Sequence, residues 1–179
     1  MRIVTWNINS VRLRLPLLAK LVQTLRPDVV CLQETKVICP LFPHEGCAAL
    51  GFPHVATSGM KGYNGVAILS RLPIEDIRAP HWCAREDCRH LIARIAGIDV
   101  HCLYVPAGGD IPDPEQNEKF AHKLRFLDEV TAWFGESVPA GSKAVLVGDL
   151  NIAPLESDVW SHKQLLKVVS HTPVEVDKL

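Results

Sequence analysis

The sequence has no run of apolar residues near the roughly 20 that a membrane-spanning helix requires. Its first residues, MRIVTWNINS, are too polar for a secretion signal. It lacks a dominant charge: 19 basic side chains stand against 20 acidic ones, for a formal net charge of −1. No overall basic field therefore announces a polyanionic partner, and binding one would depend on a local basic face or a bound cation. It also lacks disulfide-framework spacing. The cysteines are Cys31, Cys39, Cys47, Cys83, Cys88 and Cys102, several inside apolar runs such as VVCLQ and VHCLY, where a thiol acts as a small hydrophobe. A reducing cytoplasm, without membrane association, is the expectation. Internal repeats, low-complexity tracts and linkers are absent too, which favours a single domain over residues 1–179. What remains is an ordinary globular composition, 47% hydrophobic and 22% charged, with ample length for a core.

RIVTWNIN alternates as a half-buried strand. LPLLAKLVQTLRPD carries a helical apolar stripe through Leu17, Leu18, Leu21, Val22 and Leu25, with Pro16 in its first turn and Pro27 stopping it. DVVCLQE, FPHVAT and NGVAILSR read as strands, and HLIARIAGIDVHCLYVP as two strands joined by a turn at Gly97. Asp113, Pro114 and Gln116 look like the capped start of a helix whose stripe is Phe120, Leu124, Leu127, Thr131 and Phe134, running to about Gly135. Ala144–Val147 reads as a buried strand, and ESDVW as a short helical turn. Tight turns and helical connections together indicate a layered α/β fold with helices over packed sheets.

Folds of this kind place their sites where strands end. The polar residues there are Asn7 and Asn9, Glu34 with Gln33 and Lys36, Tyr104, and Asp149 with Asn151. Carboxylates, amides and a phenol suit a hard divalent cation, magnesium or manganese, and a phosphate-like substrate. A cation on Glu34 would neutralise phosphate charge, and Asp149 would take a proton from water. Structural readings stand beside these: Glu34 as a solvated cap or lysine partner, Asp149 as an Asx turn, Asn7 bonded to its own backbone, Tyr104 as a core ring. HWCAREDCRH offers His81, Cys83, Cys88 and His90 to zinc, although the spacing is not that of a finger or ribbon.

RIVTWNINSVR, RPDVVCLQETK, GYNGVAILSR, CRHLIAR, LYVP, KLRFLDEV, VGDLNIAP, DVW and SHTP follow in an order that resembles the exodeoxyribonuclease III and apurinic/apyrimidinic endonuclease branch of the endonuclease/exonuclease/phosphatase superfamily. The resemblance covers essentially the whole chain and is carried most by LQETK together with GDLNIAP. It implies a four-layered α/β sandwich, two face-to-face mixed sheets with outer helices. It also implies magnesium- or manganese-dependent hydrolysis of DNA phosphodiesters in repair, by abasic-site incision and by 3′-to-5′ exonuclease action or 3′-end cleaning. By the same resemblance Glu34 and Asn7 hold the metal, Asp149 activates water, and Asn151 and Tyr104 reach the scissile phosphate. Asn9, which stands where some relatives have an aspartate, is expected with Lys36, Arg12 and Arg89 at DNA phosphates. The expected partner is duplex DNA with abasic sites or 3′ ends, bound by a monomer.

Two departures from the family pattern are visible. Ala107 follows YVP where many relatives have an amide, removing a side-chain donor to phosphate. The resemblance also implies further strands and a final aspartate–histidine motif past the position of Leu179, so the chain by itself is expected to be impaired. Two alternatives accompany this reading: an inactive DNA-binding remnant, and a phosphatase-type member of the same superfamily.

Overall fold

Two mixed four-stranded sheets account for all eight strands of the fold. In chain order the elements are β1 (Ile3–Asn7), α1 (Val11–Leu25), β2 (Val29–Gln33), α2 (His44–Ala49), β3 (His54–Ser58), β4 (Val66–Ser70), β5 (Ile74–Arg78), β6 (His90–Ile95), β7 (Ile98–Tyr104), α3 (Glu118–Ser137), β8 (Ala144–Asp149), α4 (His162–Leu165) and α5 (Pro173–Asp177). The computed structural model describes residues 1–179 and falls into two units. One contains Met1–His81, Arg85–Tyr104 and Lys143–Asp149; the other contains Trp82–Ala84, Val105–Ser142 and Leu150–Leu179.

Both sheets belong to the first unit. The first has the order β1-β2-β4-β3, with β1 and β2 parallel; the second has β5-β6-β7-β8, with β7 and β8 parallel. The two-residue period of a strand sorts the side chains. Val29, Cys31, Val66 and Ile68 of the first sheet pack against Leu91, Ala93, Ile95, Val100 and Cys102 of the second, forming the core between the sheets. The alternate residues, Val30, Leu32, Ala67 and Leu69, meet Val11, Leu18, Val22 and Cys47 of α1 and α2 in a second core on the outer face. β2 and β4 are buried along their whole length, as their unbroken apolar runs require. The architecture is the expected α/β sandwich.

Some expected boundaries move. α1 starts at Val11, because the Ser10 and Val11 N–H groups bond to Glu34 O (2.7 Å) and Thr35 O (3.2 Å); Pro16 thus lies inside the helix, not in its first turn. α3 is capped by Asn117, whose side chain accepts from the Lys119 N–H at 3.1 Å, while Asp113 accepts from Glu115 N (2.9 Å) in a preceding turn. Its buried face is Phe120, Lys123, Phe126, Leu127 and Val130, so Thr131 is exposed where burial was expected. No helix is long and apolar enough to cross a membrane, and none of the six cysteines is joined in a disulfide.

Candidate active site

Strand periodicity delivers the site. Counting in twos from the buried residues of each strand puts Asn7 of β1, Tyr104 of β7 and Asp149 of β8 on the faces between the sheets, each at the last position of its strand. Parallel pairing aligns the ends: Asn7 is registered with Gln33, and Tyr104 with Asp149. Glu34 is the first residue after β2 and adopts φ +54, which turns it out of the strand. Asn9, Ser10 and Lys36 are also left-handed, at φ +46, +86 and +54. Such conformations cost free energy in residues with a side chain, and they gather here around one group of polar atoms. Gly148 lets Asp149 arrive: a Cβ at that position would lie 1.9 Å from Leu103 O on the paired strand.

The side chains converge on the Asn7 amide. Its Nδ2 donates to Glu34 Oε1 (2.9 Å) and to Asp149 Oδ2 (2.7 Å), so two carboxylates from different sheets are held within two hydrogen-bond lengths of each other. Asn7 Oδ1 accepts from the Asn9 N–H at 3.2 Å, which fixes the amide's orientation. The Tyr104 hydroxyl donates to Glu34 Oε1 at 2.9 Å. Glu34 Oε2 pairs with Lys36 Nζ at 2.8 Å, and Lys36 also donates to Asn9 Oδ1 at 2.6 Å. Beneath them buried Gln33 donates to Thr5 Oγ1 (3.1 Å) and Cys102 Sγ (3.2 Å), tying the two sheets together.

Burial would push the Glu34 carboxyl up, but the bonds from Asn7, Lys36 and Tyr104, with the Lys36 charge, hold it below the ordinary value. Burial and the neighbouring Glu34 carboxylate push the Tyr104 phenol well up, so it stays protonated and can donate. Arg89, expected at a DNA phosphate, lies beside the site. Its guanidinium stacks 4.8 Å from the centre of the Tyr104 ring and pairs with Asp87 at 2.5 Å. This support for Tyr104 was not readable from sequence, because the contact joins a loop residue to a strand end through a ring face.

Arg12 and Lys36 line a pocket of about 520 Å³ with Lys61, Gly62, Val37, Ile38 and Leu41. Asn151, in the second unit and two residues past Asp149, is left-handed at φ +51 and donates from Nδ2 to Val105 O at 2.9 Å. The zinc reading does not hold: no three His, Cys, Asp or Glu side chains gather as a metal site, and His90 faces His101 at 3.1 Å. One or two carboxylates among oxygen-bearing neighbours are what a magnesium ion needs, since it keeps several of its waters; the donor set therefore fits magnesium and not a closed zinc site.

The family model described as Endonuclease/Exonuclease/phosphatase family matches residues 4–170. Over 163 residues the chain is 30% identical to exodeoxyribonuclease III of Haemophilus influenzae, an alignment covering 89% of this chain and 60% of that relative's length. The structure superposes on an AP endonuclease from Archaeoglobus fulgidus with a TM-score of 0.91 and 37% identity, covering 99% of this chain and 68% of that one. A 3′ phosphatase from Neisseria, solved with a product DNA hairpin, gives a TM-score of 0.90 at 30% identity with the same coverage of both chains. With the sheets, the strand-end polar cluster and these matches in agreement, the chain belongs to the endonuclease/exonuclease/phosphatase family.

Proposed function

We propose that the strand-end cluster hydrolyses DNA phosphodiesters in repair, at abasic sites and at 3′ ends, with magnesium or manganese as cofactor. The observation that carries this reading is the Asn7 amide clamped between Glu34 and Asp149. Glu34, assisted by Asn7, is the group that would hold the cation, which when bound supplies Lewis-acid stabilisation of charge on the phosphate oxygens. Asp149 accepts a proton from water as its oxygen attacks phosphorus and the bond to the leaving sugar oxygen breaks. The protonated Tyr104 hydroxyl and the Asn151 amide donate to phosphate oxygens. Arg12 and Lys36, with Lys61 lining the same pocket, contact neighbouring backbone phosphates without reading sequence, and Asn9 sets the Lys36 ammonium.

The relatives support this reading as DNA-processing enzymes by name, and the family match spans residues 4–170. Asp149→Asn should lower magnesium-dependent nicking of an abasic duplex by about 10²- to 10⁴-fold. Undiminished nicking by that variant would remove Asp149 from the mechanism. Turnover of inositol phosphates in place of DNA would move the site to the phosphatase branch. Metal-independent, salt-sensitive DNA binding without cleavage would make the chain a binding protein.

A further inference from the structure

Lys123, in the middle of α3, and Glu175, in α5, both have wholly buried side chains, at 0% exposure each. Lysine is almost never buried without a partner, and a buried ion pair is generally no more stabilising than apolar side chains of the same volume. Stability alone therefore does not account for it. The Lys123 ammonium lies 2.5 Å from Glu175 Oε1 and donates to Asn151 O at 2.6 Å and to Ala107 O at 3.4 Å. Ala107 belongs to the loop leaving β7, three residues past Tyr104, and Asn151 to the loop leaving β8. One buried cation thus holds the Ala107 and Asn151 loops together.

Glu175 is itself fixed. It accepts from the N–H groups of Ser170 (2.9 Å) and Thr172 (3.2 Å) and from Thr172 Oγ1 (2.7 Å), the cap of α5. The left-handed backbone of Asn151 is then anchored at its carbonyl by a charge-assisted bond and at its side chain by Val105 O.

We propose that Lys123, oriented by Glu175, is a positioning residue that sets the Asn151 loop and so aims the Asn151 amide at the substrate phosphate. The inference rests on the phosphate-contacting role assigned to Asn151. Lys123→Met alone would strand the Glu175 charge, so the decisive variant is the neutral pair Lys123→Met/Glu175→Gln, compared with Lys123→Arg. The first readout is the Asn151 side-chain amide in a ¹H–¹⁵N spectrum, identified by its loss in Asn151→Asp. The second is kcat and KM on an abasic duplex with magnesium.

The neutral pair should fold, shift and broaden the Asn151 amide signals, and lower kcat by about 10- to 100-fold while KM changes by less than about twofold. Lys123→Arg should restore the signals and most of kcat. A folded neutral pair with wild-type amide signals and wild-type kcat would overturn the proposal. Should the neutral pair not fold, Glu175→Asp retracts the carboxylate by one methylene; unmoved Asn151 signals there would overturn it equally. A wild-type chain without magnesium-dependent nicking would count against the hydrolytic reading alone, because the amide spectrum still decides whether Lys123 sets Asn151.

Discussion

At the scale of single residues, the site depends on which hydrogen-bond donors face the carboxylates. The Glu34 carboxyl sits below its ordinary range because the bonds from Asn7, Lys36 and Tyr104 together outweigh burial. Tyr104→Phe removes one donor and keeps the ring that stacks on Arg89. The Glu34 pKa should therefore rise, as followed by carboxyl ¹³C shifts against pH, and nicking should slow by about tenfold or more. An unchanged titration would show that the hydroxyl bond is not formed in solution. The types of these residues were legible in the sequence: acids and amides at the ends of apolar strands need a reason to be there. Their pairing was not legible. That Asn7 serves two carboxylates from different sheets, or that Lys36 closes on Glu34, depends on register, rotamer and left-handed backbone, none of which periodicity encodes.

At the scale of elements, the β7–β8 pair is both support and weak point. Gly148 faces Leu103 across the pair with no room for a side chain. Gly148→Ala should push the strands apart, destabilise the protein by about 1–3 kcal/mol, and displace Asp149, so that activity falls more than stability does. Denaturant midpoints together with nicking rates check this, and equal proportional losses would argue against a positional role. The outer face of β6 and β7 carries a second device. His90 and His101 are buried and face each other at 3.1 Å, and burial chiefly pushes them down to about 3 and about 4.

In the unfolded chain both histidines titrate near 6.5. Their contribution is complete above about pH 6.5 and is lost progressively as pH falls toward about 3, because the unfolded chain takes up protons that the folded one refuses. Urea midpoints should drop between pH 7 and pH 5, and His101→Gln should flatten that dependence; a wild-type midpoint indifferent to pH would contradict it. The longer elements were readable from unbroken apolar runs, as in β2 and β4, or from apolar residues at helical spacing, as in α1. β5 was not, since its residues past Ile74 are exposed and do not alternate. The short α2, α4 and α5 were missed for want of a turn count. The buried face of α3 was misjudged because it includes a lysine.

At the scale of the whole molecule, a net charge of −1 leaves no general attraction for DNA. Under the proposed function, binding depends on where the positive charges sit, and Arg12, Lys36 and Lys61 line one pocket. Arg12→Ala and Lys61→Ala should each weaken duplex binding similarly for all sequences and lower the slope of log affinity against log salt by about one. Slopes unaltered by either substitution would place the DNA elsewhere. The chain spans 60% of the length of its relative from Haemophilus influenzae.

The central claim is that Glu34 and Asp149, gathered by one amide, act as a single hydrolytic unit. Magnesium-dependent nicking of an abasic duplex by Glu34→Gln, Asp149→Asn and the double variant tests it most directly. Groups that act as a unit lose their effect together, so the double variant should be no more than slightly slower than the slower single variant. Losses that multiply in full would mean that the two carboxylates work independently, and would contradict the account.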